Sequence, residues 1–161
     1  LNPAQFRSLR AQYMDMRIPP AQSFDQCFGV VVGERLIGAF ATGGAAPGAN
    51  TSGTNEAYIL SDFSVGPTDY KHLSKLVLCA IQSREFKAIA ERRVSHQVRE
   101  VYTSAFTDNP TSMKYRGVFQ LHKRMELKGA AHKYCLQYKT EAGRWSLDEA
   151  FDYWRRKWAK R

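Results

Sequence analysis

The chain has 161 residues, 43% of them hydrophobic, and a net charge of +9 with a pI near 9.6. That is about one domain's length with apolar material for one core. No run approaches the ~20 apolar residues of a membrane helix, and LNPAQFRSLR lacks a signal peptide's apolar block, so a soluble, cytosolic protein is expected.

Phe6, Leu9, Tyr13 and Met16 recur at helical spacing and predict a first amphipathic helix, stopped by Pro19-Pro20. CFGVVV, a GER turn and LIGAFAT read as a β-hairpin. From Gly43 to Asn55 the residues are small and turn-forming, and a mobile surface loop is expected. Glu56 to Val65 reads as a strand closed by Gly66-Pro67. The segment LSKLVLCAIQSREFKAIAERR has apolar residues at helical spacing and neither Gly nor Pro, which predicts one long helix. REVYTSAF is a further strand. TDNP turns the chain into a shorter, Gly-interrupted helix over TSMKYRGVFQLHKR, and KYCLQYK is the last strand.

Residues 143–161 are expected to form a terminal basic amphipathic helix. It opens on the capping box Ser146-Leu147-Asp148-Glu149, presents Leu147, Ala150, Phe151, Trp154 and Trp158 on one face, and ends in Arg155, Arg156, Lys157, Lys160 and Arg161. This order predicts a single α/β domain, a mixed and mostly antiparallel sheet flanked by helices, with the terminal helix packed on the same domain. Cys27, Cys79 and Cys135 are odd in number and far apart, with no nearby His at ligand spacing, so reduced thiols are expected and neither a disulfide framework nor a metal site.

The charge is unevenly placed: residues 1–70 carry −2 and residues 71–161 carry +11. Lys and Arg that neutralise phosphates release counterions, so this skew suits a polyanionic partner; a merely solvated basic surface is the alternative. Arg92, Arg93, Lys123, Arg124, Arg155, Arg156 and Lys157 are the candidate nucleic-acid contacts. Tyr153, Trp154 and Trp158, interleaved with cations, either stack on bases or dock the helix on the sheet.

The junction YILSDFSVGPTDYKHLSKLVL is the most informative stretch. A strand that stops and re-enters a helix presents unpaired amides and a positive dipole end, hence an anion site flanked by Lys71 and Lys75, or else an ordinary connection with solvated lysines. Asp62 sits mid-strand among apolar residues, which costs free energy unless it has a partner or a task, or points to solvent. Asp108 stands at the mouth of the next strand, either as a base or as a cap for a Pro110 helix. His72, His96, His122 and His132 lie in polar settings, and solvation or phosphate contact is expected for three of them.

Strand, Val65-x-Pro67, a polar loop, a long apolar helix, a second strand, then Asn109-x-x-Ser112 leading into Tyr115-Arg116 and Phe119 resembles the GNAT (Gcn5-related) N-acyltransferase fold over roughly residues 20–140. The resemblance implies a GNAT-like domain over residues 1–142 that uses acetyl-CoA or another acyl-CoA. Its donor site would be Val65, Lys71, His72, Leu73, Ser74, Lys75 and Asn109, with His72 and Ser74 where the family usually has glycines. Tyr115 would lie on the helix that supplies a phenol to the leaving thiolate, or be a packed aromatic. LSDFSV, HLSK, YTSAFTDN and the Gly-x-Phe-Gln segment are further similar to the Mom family of phage DNA-modification proteins. That similarity implies DNA as partner, in the cytoplasm of a bacterial host, and transfers roles to Ser61, Ser74, Lys75 and Asp108 only. Asp62, Asp108, Tyr115 and Ser61 are the candidate catalytic residues. A GNAT enzyme for protein or small-molecule amines, and a basic module without chemistry, are the competing functions.

Overall fold

A computed structural model of the chain describes residues 1–21, 23–43, 55–66, 68–111 and 113–159. Asn2 opens α1 (Pro3–Tyr13) with a reciprocal cap, its side chain accepting from the Gln5 amide and the Gln5 side chain from the Asn2 amide. The expected stripe through Met16 is cut short: the helix ends at Tyr13 and Met16 is 71% exposed. Asp15 turns the chain there by accepting from both the amide and the guanidinium of Arg17.

β1 (Gln26–Val32) and β2 (Arg35–Gly43) form the expected hairpin, with Gly33 at φ 60° in its turn. The sheet then runs β1-β2-β3-β4-β6-β5, with β3 (Glu56–Ser64), β4 (Glu100–Thr107), β5 (Gln120–Glu126) and β6 (Tyr134–Glu141). All pairs are antiparallel except β3 with β4. The described residues form a single α/β domain, six strands flanked by four helices. Of the loop expected from Gly43 to Asn55, residues 44–54 fall outside the described residues, as do Pro67, Ser112, Lys160 and Arg161.

The long helix expected over 73–93 is two helices, α2 (Leu73–Ile81) and α3 (Arg84–Val94). Ser83 breaks it by capping α3, its hydroxyl accepting from the Phe86 amide. The backbone of a distant segment holds the break open, since Arg84 N–H donates to the Trp145 carbonyl and Arg144 N–H to the Gln82 carbonyl. The helix expected over 111–124 is also replaced. Residues 114–119 make turns, with Gly117 at φ 78°, and 120–126 pair antiparallel with β6 as an exposed edge strand. Tyr115, Val118 and Phe119 still reach the core from these turns, while Leu121 on the edge strand stays 56% exposed. α4 (Leu147–Lys157) starts at its Ser146 capping box as read.

Two cores flank the sheet. Phe6 of α1 packs on Cys27, Ala39, Ala41 and Phe63, while α2 and α4 cover the opposite face around Phe40, Ile59, Val101, Leu136 and Tyr138. The three cysteines are buried and free. Among the described residues no helix is long and apolar enough to cross a membrane.

Candidate active site

The parallel ladder that joins β3 to β4 is short. It runs from Glu56 opposite Glu100 to Ile59 opposite Thr103 and stops there. The cause lies in β3: Ala41 faces Ser61 and Thr42 faces Ile59, so Leu60 is the extra residue of a bulge, and bulges bend the strand that carries them. Beyond it β3 stays with β2 and β4 stays with β6. Thr103 closes the end of the ladder by donating its hydroxyl to the Ile59 carbonyl at 3.0 Å.

The gap holds a cavity of about 90 Å³ whose lining includes Ser61, Asp62, Thr103, Phe106, Lys114 and Tyr115. Asp62 is 2% exposed. Asp62 does not point to solvent, and its partners are a lysine and a tyrosine: Lys114 pairs with its carboxylate, and the Tyr115 hydroxyl donates to Oδ1 at 2.5 Å. Lys114 also donates to the Asp62 carbonyl at 2.6 Å. Tyr115 comes from a turn rather than a helix, its ring stacked on Tyr138 at 4.8 Å. Burial, then the neighbouring Asp62, pushes its hydroxyl well above the ordinary tyrosine range, so it remains a proton donor.

Ser61 faces the other side of the sheet. Its hydroxyl accepts from Arg10 Nε at 3.1 Å and donates to Met14 Sδ at 2.9 Å. Arg10, 5% exposed, also donates to the Ile18 carbonyl at 2.8 Å, so it ties α1 to the segment whose Met14 and Ile18 line the cavity. Asp108 caps no helix, because none follows Pro110 among the described residues. It accepts instead from the Lys133 amide at 3.0 Å and lies 3.3 Å from His132 Nδ1 and 3.7 Å from Arg17. His132 is not solvated: it is 6% exposed, with Asp15 on its Nε2 side at 3.6 Å.

Below the gap, α2 starts at His72, which takes the left-handed conformation (φ 59°) that glycine favours. No side chain caps this helix, so the amides of Leu73 and Ser74 remain open as at any uncapped start. Cations gather around it. Lys75 donates to the Arg116 carbonyl, its ammonium lies 5.6 Å from the Trp158 ring, and Arg116 and Lys157 add to the burial that lowers its proton affinity. Trp154 holds the turn by donating to the His72 carbonyl at 3.0 Å, which assigns this tryptophan to docking. Lys71 is exposed beside it, whereas the Val65 amide is committed to the Ile37 carbonyl. Asn109 accepts from the amide and hydroxyl of Thr111.

The basic residues do not form one surface. Arg155, Arg156 and Lys157 end α4 beside the start of α2, while Arg92 and Arg93 end α3 near the start of β4, where Glu91 accepts from the Val98 amide. Lys123 and Arg124 lie on edge strand β5, Arg124 over the Tyr134 ring at 4.4 Å. Sequence reasoning missed Arg10 and Lys114, and did not show that His132 is buried between Asp15 and Asp108. Arg10 alone carried a signal, since it stands four residues after Phe6 and three before Tyr13, on the buried stripe itself.

A family model described as a phage GNAT-like domain matches residues 1–159. No curated protein matches the sequence. Among solved structures, the chain is similar to a GNAT-family acetyltransferase from Bacillus cereus (9% identity, 72% of this chain and 70% of that one, TM-score 0.48). It is also similar to a ribosomal-protein-alanine N-acetyltransferase from Brucella melitensis (11% identity, 86% and 75%, TM-score 0.47). A third is a Bacillus subtilis acetyltransferase in complex with CoA (9% identity, 71% and 75%, TM-score 0.44).

Proposed function

Because the chain belongs to the phage GNAT-like domain family, we propose that it is an acyl-CoA-dependent N-acyltransferase whose acceptor is an amine of a DNA base, with a Mom-like role in phage DNA modification. The observation that carries this reading is the Asp62–Tyr115 pair in the opened end of a parallel ladder, above an uncapped helix start ringed by cations.

The donor fits the residues present. His72 supplies the left-handed turn without a glycine, and the open amides of Leu73 and Ser74 with Lys71, Lys75, Arg116 and Lys157 suit a diphosphate. Val65 and Asn109 border that site. The bound donor supplies an activated acyl group on a thiolate leaving group. Asp62 takes the proton of the attacking amine, and Tyr115 protonates the departing sulfur. The 2.5 Å contact lets Asp62 return its proton to the Tyr115 oxygen, so that one proton passes from amine to sulfur and both residues end as they began. Lys114 pairs with the Asp62 carboxylate and fixes its position, while Ser61 and Asp108 hold the acceptor-side segments 14–18 and 127–133.

Two separate basic clusters support DNA as partner, Arg155, Arg156 and Lys157 at the donor end and Lys123 and Arg124 on β5; Arg92 and Arg93 at the end of α3 would need a further contact. Calorimetry with acetyl-CoA tests the donor half: heat at micromolar to millimolar concentrations is expected, and none on well-folded protein overturns the transferase reading. Mass spectrometry of nucleosides from cells expressing the protein tests the acceptor half, the expected result being a base heavier by one acyl group.

A further inference from the structure

Half of one face of the sheet has no helix over it. α2 and α4 cover the face that carries Phe40, Ile59 and Val101, but on the opposite face α1 packs over Cys27, Ala39, Ala41 and Phe63, all in β1–β3. No described helix covers the remainder of that face, across β4, β6 and β5.

Strand register gives its content. Tyr58, Tyr102, Lys139 and Gln120 form one cross-strand row, and Ser104, Gln137 and Lys123 the next. Phe106, 39% exposed, stands at the end of β4 and also lines the active-site cavity. His122 meets the Tyr102 ring edge-on at 5.5 Å. Lys123, Lys128 and Lys133 are exposed and make no ion pair among the described residues. At the far end Glu56, Glu100 and Glu141 lie side by side, Lys139 pairing with Glu100 at 3.2 Å. The face therefore runs from the cavity mouth, past aromatic rings flanked by lysines, to an acidic end.

We propose that this face takes an unpaired polynucleotide strand. Bases stack on Phe106, Tyr102 and His122, phosphates lie over Lys123 and Lys133, and one base is led over the mouth of the cavity beside Phe106. Ring faces in a strand-borne row with a lysine border are what sequence-tolerant single-strand binding requires. The three glutamates repel phosphate and end the footprint at Tyr102. Phe106 to Tyr102 spans roughly 13 Å of strand at ~3.3 Å per residue, room for a short stacked run. A duplex keeps its base faces stacked and would meet only the lysines. What happens to the led base rests on the transferase reading; the binding itself rests on this face alone.

Fluorescence anisotropy with the full chain, a labelled mixed-sequence single-stranded 12-mer and a hairpin duplex of equal length decides it. The single strand is expected to bind at least tenfold more tightly. Phe106→Leu and Tyr102→Leu should each weaken it about fivefold or more, since a stacked base contributes ~1–3 kcal/mol. The dependence of log K on log salt should be unchanged by those two and should flatten in Lys123→Glu with Lys133→Glu. Phe106 is exposed enough that its leucine variant should melt like the parent, which keeps the test open should Tyr102→Leu destabilise the fold. Duplex binding as tight as single-strand binding, leucine variants that bind like the parent, or no strand binding at low salt would overturn the proposal. Acetyl-CoA calorimetry on the same samples separates the two readings. Donor heat without strand binding removes only this surface, and strand binding without donor heat removes only the transferase.

Discussion

Asp62 shows how far a single residue could be read. A carboxylate amid Ile59, Leu60 and Phe63 was legible as costly and therefore as assigned a task, but its partners Lys114 and Tyr115 lie more than fifty residues away and only the turn before β5 brings them to it. Asp62→Asn is expected to lower turnover ~10²–10⁴-fold, measured at saturating acetyl-CoA, with donor affinity retained. It also leaves Lys114 without its charge partner. Because Lys114 is part exposed, the cost should be only about 1 kcal/mol in urea unfolding. Tyr115→Phe should lower turnover as strongly; it keeps the Lys114 pair but leaves the buried Asp62 Oδ1 without its donor, at a cost of about 1–3 kcal/mol. As the Tyr115 hydroxyl is held well above its ordinary range, the parent enzyme's rate should show no alkaline decline near pH 10 from loss of this proton.

At the scale of elements, the strands and the α4 cap were legible because alternation and capping are local properties. The single helix over 73–93 was not, because what splits it is a backbone pairing from residues 144–145. Ser83→Ala should cost about 0.5–2 kcal/mol in chemical unfolding, since it removes the α3 cap at a buried junction. Where β2 meets α2, Gly38 has no room for a side chain: a Cβ there would lie 2.3 Å from Val77 Cγ2 and 2.6 Å from the Phe63 carbonyl oxygen. Gly38→Ala should destabilise by about 1–3 kcal/mol and lower the melting temperature. On the proposed reading the acyl group enters the cavity of about 90 Å³ between β3 and β4, which suits a short chain and not a long one. Acetyl-CoA should be turned over and octanoyl-CoA should not, in a thiol-release assay that compares the two.

For the whole molecule, charge sets the pH range of the fold. Hydrogen bonds from Arg17 hold the Asp15 carboxyl at about 2, and partners likewise lower Asp108, Glu149 and Glu100. Carboxyls depressed in the folded state contribute stability above their unfolded value, near 4, and lose it as pH falls. The melting temperature should therefore drop between about pH 4 and 2, less steeply in Arg17→Ala. Burial pushes the Cys79 thiol to about 12, and burial with Glu100 does the same for Tyr102. These groups favour the folded state while protonated. Their contribution is complete below the unfolded thiol value, near 8.5, and fades toward 12. A second decline is expected over that range, measured by differential scanning fluorimetry.

Composition, the basic second half, the hairpin, β3, β4, β6 and the α4 capping box all follow from the sequence by itself, because each depends on residues near one another in the chain or on sums over it. The family pattern was readable for the same reason, since strand, junction and helix follow in order. Tertiary structure alone decided that residues 111–126 turn and become an edge strand, that Ser83 starts a helix, that Asp108 braces a loop, and that Arg10 and His132 are buried. Each of these outcomes is set by a partner more than ten residues distant: Trp145 for Ser83, Lys133 for Asp108, Ser61 for Arg10, Asp15 for His132. Local propensity carries no information about such a partner, and the pairing free energy of a strand or a buried charge outweighs the few tenths of a kcal/mol per residue by which propensities differ.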